Sequence, residues 1–393
     1  MNSRYRRELA ALNKTYDACQ DWDIDPLTRV VETLNAHPLA VVGSGGSFSG
    51  AVFGATLHEL HTRQIAKAVT PLQVAVAPER AATGLLCLSA SGRNKDIRAA
   101  FATAAGLETY PLAALCLATG SPLKALQSAF NYVEVVEADL HIEPDGFLAV
   151  NSLFATCVLL TRAYRQAAGR PPLPSNYDAL VAQTDALESL GEDRGGWIDD
   201  LTGRTISLLY SPPLSAAAAD LESRFVEGAL GDLHSADWRN FGHGRHHWLA
   251  KRGDTTTVVA MIGSTDQILA TRTLDLLPAP TPKRVVRFEG PTDEQALLAM
   301  LFALHLADLA GEAAGIDPGR PGVPEFGRKL YHLGPKVRQQ SALKAALARK
   351  ARARGERIGP DLERSHRLAA DRVRAAKGPG FDCDQIGQLG SAQ

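Results

Sequence analysis

The chain has 393 residues, of which 45% are hydrophobic and 22% are charged, and its formal net charge is -1. This length and ordinary globular composition predict two domains, each large enough to bury its own core. The balanced charge excludes a global attraction to nucleic acid or to an anionic membrane, and no uninterrupted apolar run reaches the roughly 20 residues that span a bilayer.

The cysteines and the first residues indicate a compartment. The five cysteines are odd in number and never two or three residues apart, which argues against a disulfide framework or a zinc knuckle. The basic, polar stretch 1–10 is not followed by an apolar stretch, so we predict no signal peptide. We therefore expect a protein of the reducing cytoplasm, with no membrane partner.

Strands and helices alternate after a helical lead, residues 1–35. The apolar run Pro38–Val42 predicts a strand, the small residues 43–47 a turn, and Phe48–Gln64 a helix. This alternation predicts a parallel sheet covered on both faces. The other elements predicted in this half are strands at 85–88, 112–118 and 132–136, and helices at 96–105 and 147–168.

The same order of elements then recurs. A proline-rich stretch that starts at Pro171 marks a linker over 171–200. Because the strand-turn-helix units repeat, we predict an internal duplication: an α/β fold of two doubly wound, mostly parallel sheets, with domains at 36–170 and 201–338. The elements predicted in the second half are strands at 205–210, 256–262 and 285–288, and helices at 215–231 and 293–313.

The last residues, 339–393, differ from the rest. They are rich in Lys and Arg with few large apolar residues, and they end in a Gly- and Gln-rich stretch that we expect to be disordered. A basic tail could contact nucleic acid or an acidic partner. A solvated basic helix is the favoured interpretation, because charge runs are usually solvated faces.

Two turns in the first half are candidates for binding an anion. Each follows a predicted strand and precedes a helix, where free N–H groups and the helix dipole favour negative charge. The carboxyl edge of a parallel sheet is also where ligands bind. No GxGxxG or Walker lysine pattern is present, so a small phosphate ester is favoured over a nucleotide. The candidate phosphate-binding residues are Ser44, Gly46, Ser47, Ser89, Ser91 and Asn94.

These two turns resemble the signature of the sugar-isomerase (SIS) domain, a glycine-serine turn followed by a Ser-x-Ser-Gly turn. The span 38–335 is similar in layout to the isomerase half of glucosamine-6-phosphate synthase, without its glutamine-hydrolysing half. The resemblance implies that Ser47, Ser89, Ser91 and Asn94 bind a sugar phosphate, although the family usually has Thr where Asn94 stands. It also implies that no metal and no other cofactor is needed.

Further residues match the family's catalytic positions. Glu227 lies sixteen residues before His243, as the family's helix glutamate does before its His-Gly dipeptide. Arg224 stands where the family has Lys, and Lys329 matches a lysine that follows an Asp-x-Pro segment. Aldose–ketose interconversion needs a base, which Glu227 suits. His243 could assist ring opening, and Lys329 could stabilise an oxyanion or form a Schiff base.

Each of these residues also has an ordinary interpretation. Glu227 alone would more often be a surface carboxylate paired with Arg224, and Lys329 alone would face solvent. The segment 243–247 contains three histidines, but no carboxylate or cysteine completes a zinc spacing. After His243-Gly244, the family's Pro and apolar run are replaced by Arg245-His246-His247.

We therefore predict a phosphosugar enzyme: an aldose–ketose isomerase, or a ketosamine-phosphate deaminase or deglycase, that uses Glu227 through an enediol-type intermediate. The alternative is a non-catalytic regulatory protein that binds a sugar phosphate. The resemblance further implies a homodimer in which His243 reaches into the partner subunit's pocket. The residues do not separate the isomerase, deaminase and deglycase activities.

Overall fold

The computed structural model describes residues 3–76, 83–127 and 130–333, all of which fall in one compact unit. The basic tail predicted from residue 339 lies outside the described residues. The predicted helical lead is present as three helices, and the fold after it is built on two separate parallel sheets, as predicted. The helices of the lead are α1 (Arg4–Leu9), α2 (Leu12–Asp21) and α3 (Asp25–Leu34).

The first sheet has five parallel strands in the order β2-β1-β3-β4-β5 among the described residues. Its inner strands are buried along their whole length, which explains why they consist of continuous apolar runs. The strands are β1 (Leu39–Val42), β2 (Ala66–Val69), β3 (Gly84–Ser89), β4 (Leu112–Cys116) and β5 (Val133–Glu137). The helices of this half are α4 (Gly46–Thr62), α5 (Pro71–Val76), α6 (Lys95–Gly106), α7 (Pro122–Gln127) and α8 (Asn151–Ala167).

The stretch predicted as a linker is helical and packed. Leu180, Leu190 and Trp197 are each 5% exposed or less. They belong to the same hydrophobic core as residues of both sheets, so the two halves share one core. The helices here are α9 (Tyr177–Val181), α10 (Ala186–Glu192) and α11 (Arg194–Leu201).

The second sheet has four parallel strands in the order β7-β6-β8-β9 within the described chain. Its first strand pairs with the second and the third, as in the first sheet, so the two sheets share the order 2-1-3-4. The strands are β6 (Thr205–Tyr210), β7 (Leu233–Asp237), β8 (Thr256–Ile262) and β9 (Lys283–Arg287). The helices are α12 (Ser215–Glu227), α13 (Trp238–Asn240), α14 (His247–Arg252), α15 (Gln267–Asp275), α16 (Thr292–Ala314) and α17 (Glu325–Tyr331).

Helix α16 is the central helix of the second half. It packs against α1, α4, α8, α11 and α12. Among the described residues it is the one helix long and apolar enough to cross a membrane, and 83% of its most apolar window is buried inside the protein. Its hydrophobicity is therefore accounted for by its place in the core.

Candidate active site

The crevice between β1 and β3 lies where the chain changes direction across the first sheet. The chain passes from β1 to β2 on one side, and from β3 to β4 and β5 on the other. Such a switch point is where ligands bind in open parallel sheets, at the carboxyl ends of the strands. Val42 lies opposite Cys87, so the turns that follow β1 and β3 leave the sheet side by side. Adjacent strands are about 4.8 Å apart, so both turns can contact one small ligand.

The first turn leads directly into helix α4. Gly45, which has a φ of 55° and is exposed, is the N-cap of this helix, and no side chain caps the helix N-terminus. The N–H of Phe48 donates to the carbonyl oxygen of Gly45 at 2.7 Å, so the N–H groups of Gly46 and Ser47 are the ones at this helix N-terminus that remain for a ligand. Ser44 and Ser47 are half-buried beside them. A Cβ on Gly43 would lie 2.0 Å from the carbonyl oxygen of Ser47, so this tight turn requires glycine there.

The second turn begins at the last residue of β3. The buried Ser89 accepts a hydrogen bond from the N–H of Gly92 at 3.1 Å, and the exposed Ser91 accepts one from the N–H of Arg93 at 3.3 Å. Gly92 has a φ of 63°, and a Cβ there would lie 2.5 Å from the Cβ of Ser121. The turn is thus held in shape by its own serines while the hydroxyl hydrogens stay available as donors.

Asn94 has a structural role that the sequence analysis did not assign to it. It is the N-cap of α6, and its Oδ1 accepts hydrogen bonds from the N–H groups of Asp96 at 2.9 Å and Ile97 at 3.1 Å. The side-chain oxygen is therefore committed to the helix, and only the amide Nδ2 remains as a donor for a phosphate. Thr, the residue type that the resemblance to the SIS domain implies at this place, is also a helix-capping residue type.

At the equivalent place on the second sheet, between β6 and β8, the serine hydroxyl is bonded to the protein's own groups. The fully buried Ser211 follows β6, and its hydroxyl donates to the carboxylate of Asp266. The same oxygen accepts hydrogen bonds from the N–H of Gly263 at 2.8 Å and from the indole of Trp238 at 3.3 Å. Gln295 occupies the neighbouring space and bonds to both the N–H and the hydroxyl of Ser264. An internal carboxylate thus bonds to the serine that follows β6, whereas no carboxylate of the described residues bonds to Ser44, Ser47, Ser89 or Ser91 at the first crevice.

Arg224 does not lie where a substrate could contact it, contrary to its assignment as a catalytic residue. Its side chain is 3% exposed and pairs with the carboxylate of Asp220, one turn earlier on α12. It also donates to the hydroxyl of Tyr5 at 2.9 Å and to the carbonyl oxygen of Ala149 at 2.6 Å. Burial alone lowers the pKa of Arg224, but Asp220 and Tyr5 outweigh it and raise the pKa, so the guanidinium stays charged.

Glu227 is the last residue of α12 and is exposed. It is not paired with Arg224, because Arg224 is held by Asp220. Its Oε1 accepts a hydrogen bond from the hydroxyl of Ser223 at 2.6 Å, which leaves the other carboxylate oxygen open. Arg224 bonds to Ala149, whose side chain lies against Gly46 of the first turn, since a Cβ on Gly46 would be 2.7 Å from that of Ala149. Glu227 lies three residues further on, about 4.5 Å along the helix axis.

His243 lies in an exposed loop after β7. The loop is anchored by Trp238 and Phe241, which are 2% and 3% exposed. His243 has φ -89° and ψ 38°, and Gly244 has a φ of 115°, so the helix is interrupted at this dipeptide and the imidazole is on the surface. In residues 3–76, 83–127 and 130–333, no group of three or more His, Cys, Asp and Glu side chains could hold a metal ion.

Lys329 is on the surface of the short helix α17, which has no buried residue. Its side chain is 73% exposed and its Nζ lies 2.8 Å from Oε1 of Glu325, one turn earlier. An exposed pair of this kind contributes little to stability. Within the single chain, therefore, neither His243 nor Lys329 is enclosed in a pocket together with Glu227.

Three residues around the site were missed by the sequence analysis. Tyr5 and Ala149 form hydrogen bonds with Arg224 although they are 219 and 75 residues away from it in the sequence. No local sequence pattern indicates such contacts. Asp220 was within reach of sequence analysis, because it lies four residues before Arg224 on a predicted helix, the spacing of an ion pair.

No protein-family model matches this sequence, and no curated protein sequence matches it. Solved structures do match. The chain is 16% identical to the tagatose-6-phosphate ketose/aldose isomerase of Escherichia coli, with a TM-score of 0.62 over 82% of this chain and 96% of that one. It is 12% identical to the C-terminal domain of glucosamine-fructose-6-phosphate aminotransferase from Francisella tularensis, with a TM-score of 0.61 over 79% and 94%. It is 16% identical to glucosamine-6-phosphate deaminase from Thermotoga maritima, with a TM-score of 0.54 over 80% and 98%.

These likenesses define the class of fold. The protein has the tandem α/β fold of phosphosugar isomerases and deaminases, with two parallel sheets flanked by helices. The predicted similarity to the isomerase half of glucosamine-6-phosphate synthase is confirmed at the level of the fold.

Proposed function

We propose that the protein binds a phosphorylated sugar in the crevice between β1 and β3 and converts it through an enediol-type intermediate. The observation that carries this proposal is the contrast between the two crevices. The first has an uncapped helix N-terminus, and no side-chain carboxylate of the described residues bonds to its serines, whereas in the second the carboxylate of Asp266 bonds to Ser211. A phosphate in the first crevice would receive hydrogen bonds from Ser47, Ser89 and Ser91 and from the first N–H groups of α4.

Glu227 is the proposed base. With an open-chain ketose 6-phosphate, its carboxylate removes a proton from C1, the C–H electrons form the C1–C2 double bond, and the C2 oxygen takes up a proton. Return of the proton to C2, with loss of the proton from O1, yields the aldose. With a fructosamine 6-phosphate, whose amine is on C1, removal of a C1 proton and protonation of the C2 oxygen give an enolamine. With open-chain glucosamine 6-phosphate, whose carbonyl is C1 and whose amine is on C2, Glu227 removes the proton from C2 and the C1 oxygen takes up a proton, which also gives an enolamine. These enolamines are the starting points of deglycase and deaminase chemistry.

His243 and Lys329 take part in this proposal through a homodimer. Both are on exposed surface in the single chain, so they can only complete an enclosed pocket if a second subunit covers the crevice. His243 would then assist ring opening, and Lys329 would stabilise the developing oxyanion. Light scattering should give a mass twice that of the 42.0 kDa chain, and a monomer at working concentration would contradict this part.

The test uses fructose 6-phosphate, glucosamine 6-phosphate and fructosamine 6-phosphates as substrates. We expect turnover of at least one, and a loss of about 100- to 10,000-fold in Glu227→Gln with the phosphosugar still bound. Glu222→Gln is the matched control, because Glu222 is another exposed carboxylate of α12. No turnover of any of the three substrates, or a fully active Glu227→Gln variant, would contradict the enzymatic proposal.

The second candidate function is a non-catalytic regulator that binds a sugar phosphate. The burial of Arg224 and the exposure of Lys329 favour it, since the Arg224 side chain is not accessible to a ligand and the Lys329 side chain is on open surface in the single chain. Calorimetric binding of fructose 6-phosphate without product formation from any of the three substrates would support this function over the enzyme.

A further inference from the structure

We propose that Arg224 is a positioning residue that holds the helix carrying Glu227 against the phosphate-binding turn. The effect of this positioning on catalysis rests on the proposed function, whereas the contacts of Arg224 are observed independently of it. Arg224 cannot contact a ligand, because its side chain is 3% exposed and three of its nitrogens already donate to protein atoms.

Arg224 forms hydrogen bonds with three different parts of the chain. Nε bonds to Asp220 on the same helix, Nη1 to Tyr5 of α1, and Nη2 to the carbonyl oxygen of Ala149, just before α8. The hydroxyl of Tyr5 in turn donates to the carbonyl oxygen of Leu304 at 3.0 Å. Arg224 therefore joins α12 to the N-terminal helix, to α16 and to the segment that precedes α8.

The bond to Ala149 connects this cluster to the phosphate-binding turn. The Ala149 side chain packs on Gly46, the first residue of α4, with no space for a further methyl group. A shift of α12 would thus be transmitted through Ala149 to the N-terminus of α4. Glu227 follows Arg224 by less than one helical turn, so the same shift would move the proposed base relative to the bound phosphate.

The planar fork of arginine explains why this residue type is needed. A guanidinium presents donors in fixed directions and can bond to Asp220, Tyr5 and Ala149 at the same time. A lysine has one nitrogen on a flexible stem, and could keep the ion pair with Asp220 but not both of the other contacts in this geometry.

The experiment compares Arg224→Lys, Arg224→Met and Tyr5→Phe with the unmodified protein. Arg284→Met is the matched control, because Arg284 forms ion pairs with Asp193 and Asp200 beside the second sheet. Hydrogen exchange in the absence of ligand reports on the contacts directly. We expect faster exchange in 43–50 and 145–152 in the Arg224 variants and Tyr5→Phe, and no such change in Arg284→Met.

Kinetics then report on what the contacts are used for. With the substrate that the unmodified protein turns over, we expect kcat to fall about 100-fold in Arg224→Met, as for a misplacement of about 1 Å, with KM changed much less. Arg224→Lys should recover part of kcat, which a residue needed only for folding would not show. If Arg224→Met does not fold, Arg224→Lys and Tyr5→Phe decide the same question.

Two outcomes would overturn the inference. One is unchanged exchange in both segments in folded Arg224 variants. The other is an unchanged kcat in Arg224→Met. Failure of the proposed function is distinguishable, because the unmodified protein would then turn over none of the three substrates, while the exchange in 43–50 and 145–152 would still confirm or refute the contacts.

Discussion

Replacing Gly92 with Ala tests whether the second phosphate-binding turn depends on close packing. Gly92 has a φ of 63°, and an added Cβ would lie 2.5 Å from the Cβ of Ser121, 2.9 Å from its Oγ and 3.0 Å from the Sγ of Cys116. All three atoms belong to buried side chains, so none can move aside without disturbing the carboxyl ends of β3 and β4.

The magnitude has two parts. An L-residue in the left-handed region costs about 1–2 kcal/mol. Overpacking in a well-packed region adds about 1–3 kcal/mol. Gly120 separates the two, because it has nearly the same φ, 62°, on the same edge of the sheet, and an added Cβ there meets nothing within 4 Å. Gly120→Ala should therefore show only the cost of the left-handed backbone conformation. Both variants gain the same stability from the less flexible unfolded chain, so this gain cancels when they are compared.

The assay is urea unfolding of both variants, followed by calorimetric titration with fructose 6-phosphate. We expect Gly92→Ala to lose about 1–3 kcal/mol more than Gly120→Ala in the free energy of unfolding. We also expect it to bind the phosphosugar more weakly, since the N–H of Gly92 holds Ser89 in place. Equal losses of stability in the two variants, or unchanged affinity in Gly92→Ala, would refute the argument.

Two further predictions concern the second half of the chain. Asp266→Asn should lower the free energy of unfolding by about 1 kcal/mol, because a charge-assisted hydrogen bond to Ser211 is lost. Its affinity for the phosphosugar should not change, and weaker binding by calorimetry would show that the second crevice also binds the ligand. The buried Nε2 of His305 has no hydrogen-bond partner in the described residues, and burial lowers the pKa of His305 to about 4. In the unfolded chain His305 has its ordinary pKa of about 6.5, so below that pH the unfolded chain binds a proton that the folded chain does not. The free energy of unfolding therefore decreases as the pH is lowered from 6.5 to 4, by on the order of 3 kcal/mol. His305→Leu should flatten this dependence in urea unfolding at several pH values, and an unchanged slope would contradict the assignment.

The sequence by itself predicted the elements that are buried on both faces. Strands Thr205–Tyr210 and Thr256–Ile262 were predicted at their observed bounds, because their central residues are buried and most of them are apolar. The two strands that it missed, Ala66–Val69 and Leu233–Asp237, are at sheet edges and only partly buried, so they lack an apolar run. Pairing with a neighbour, which local patterning does not encode, makes them strands.

The candidate site divides in the same way. Glycine and serine between a strand and a helix identify the turns at Gly43–Ser47 and Ser89–Gly92 from local chemistry alone, and the parallel register then brings them together. The capping role of Asn94 is also local, because its partners are two and three residues further on. The tertiary structure alone decided the roles of Arg224 and Ser211. Whether a polar side chain faces a ligand or another part of the chain depends on which distant atoms satisfy its hydrogen bonds once it is buried, and spacing along the sequence carries no information about those atoms.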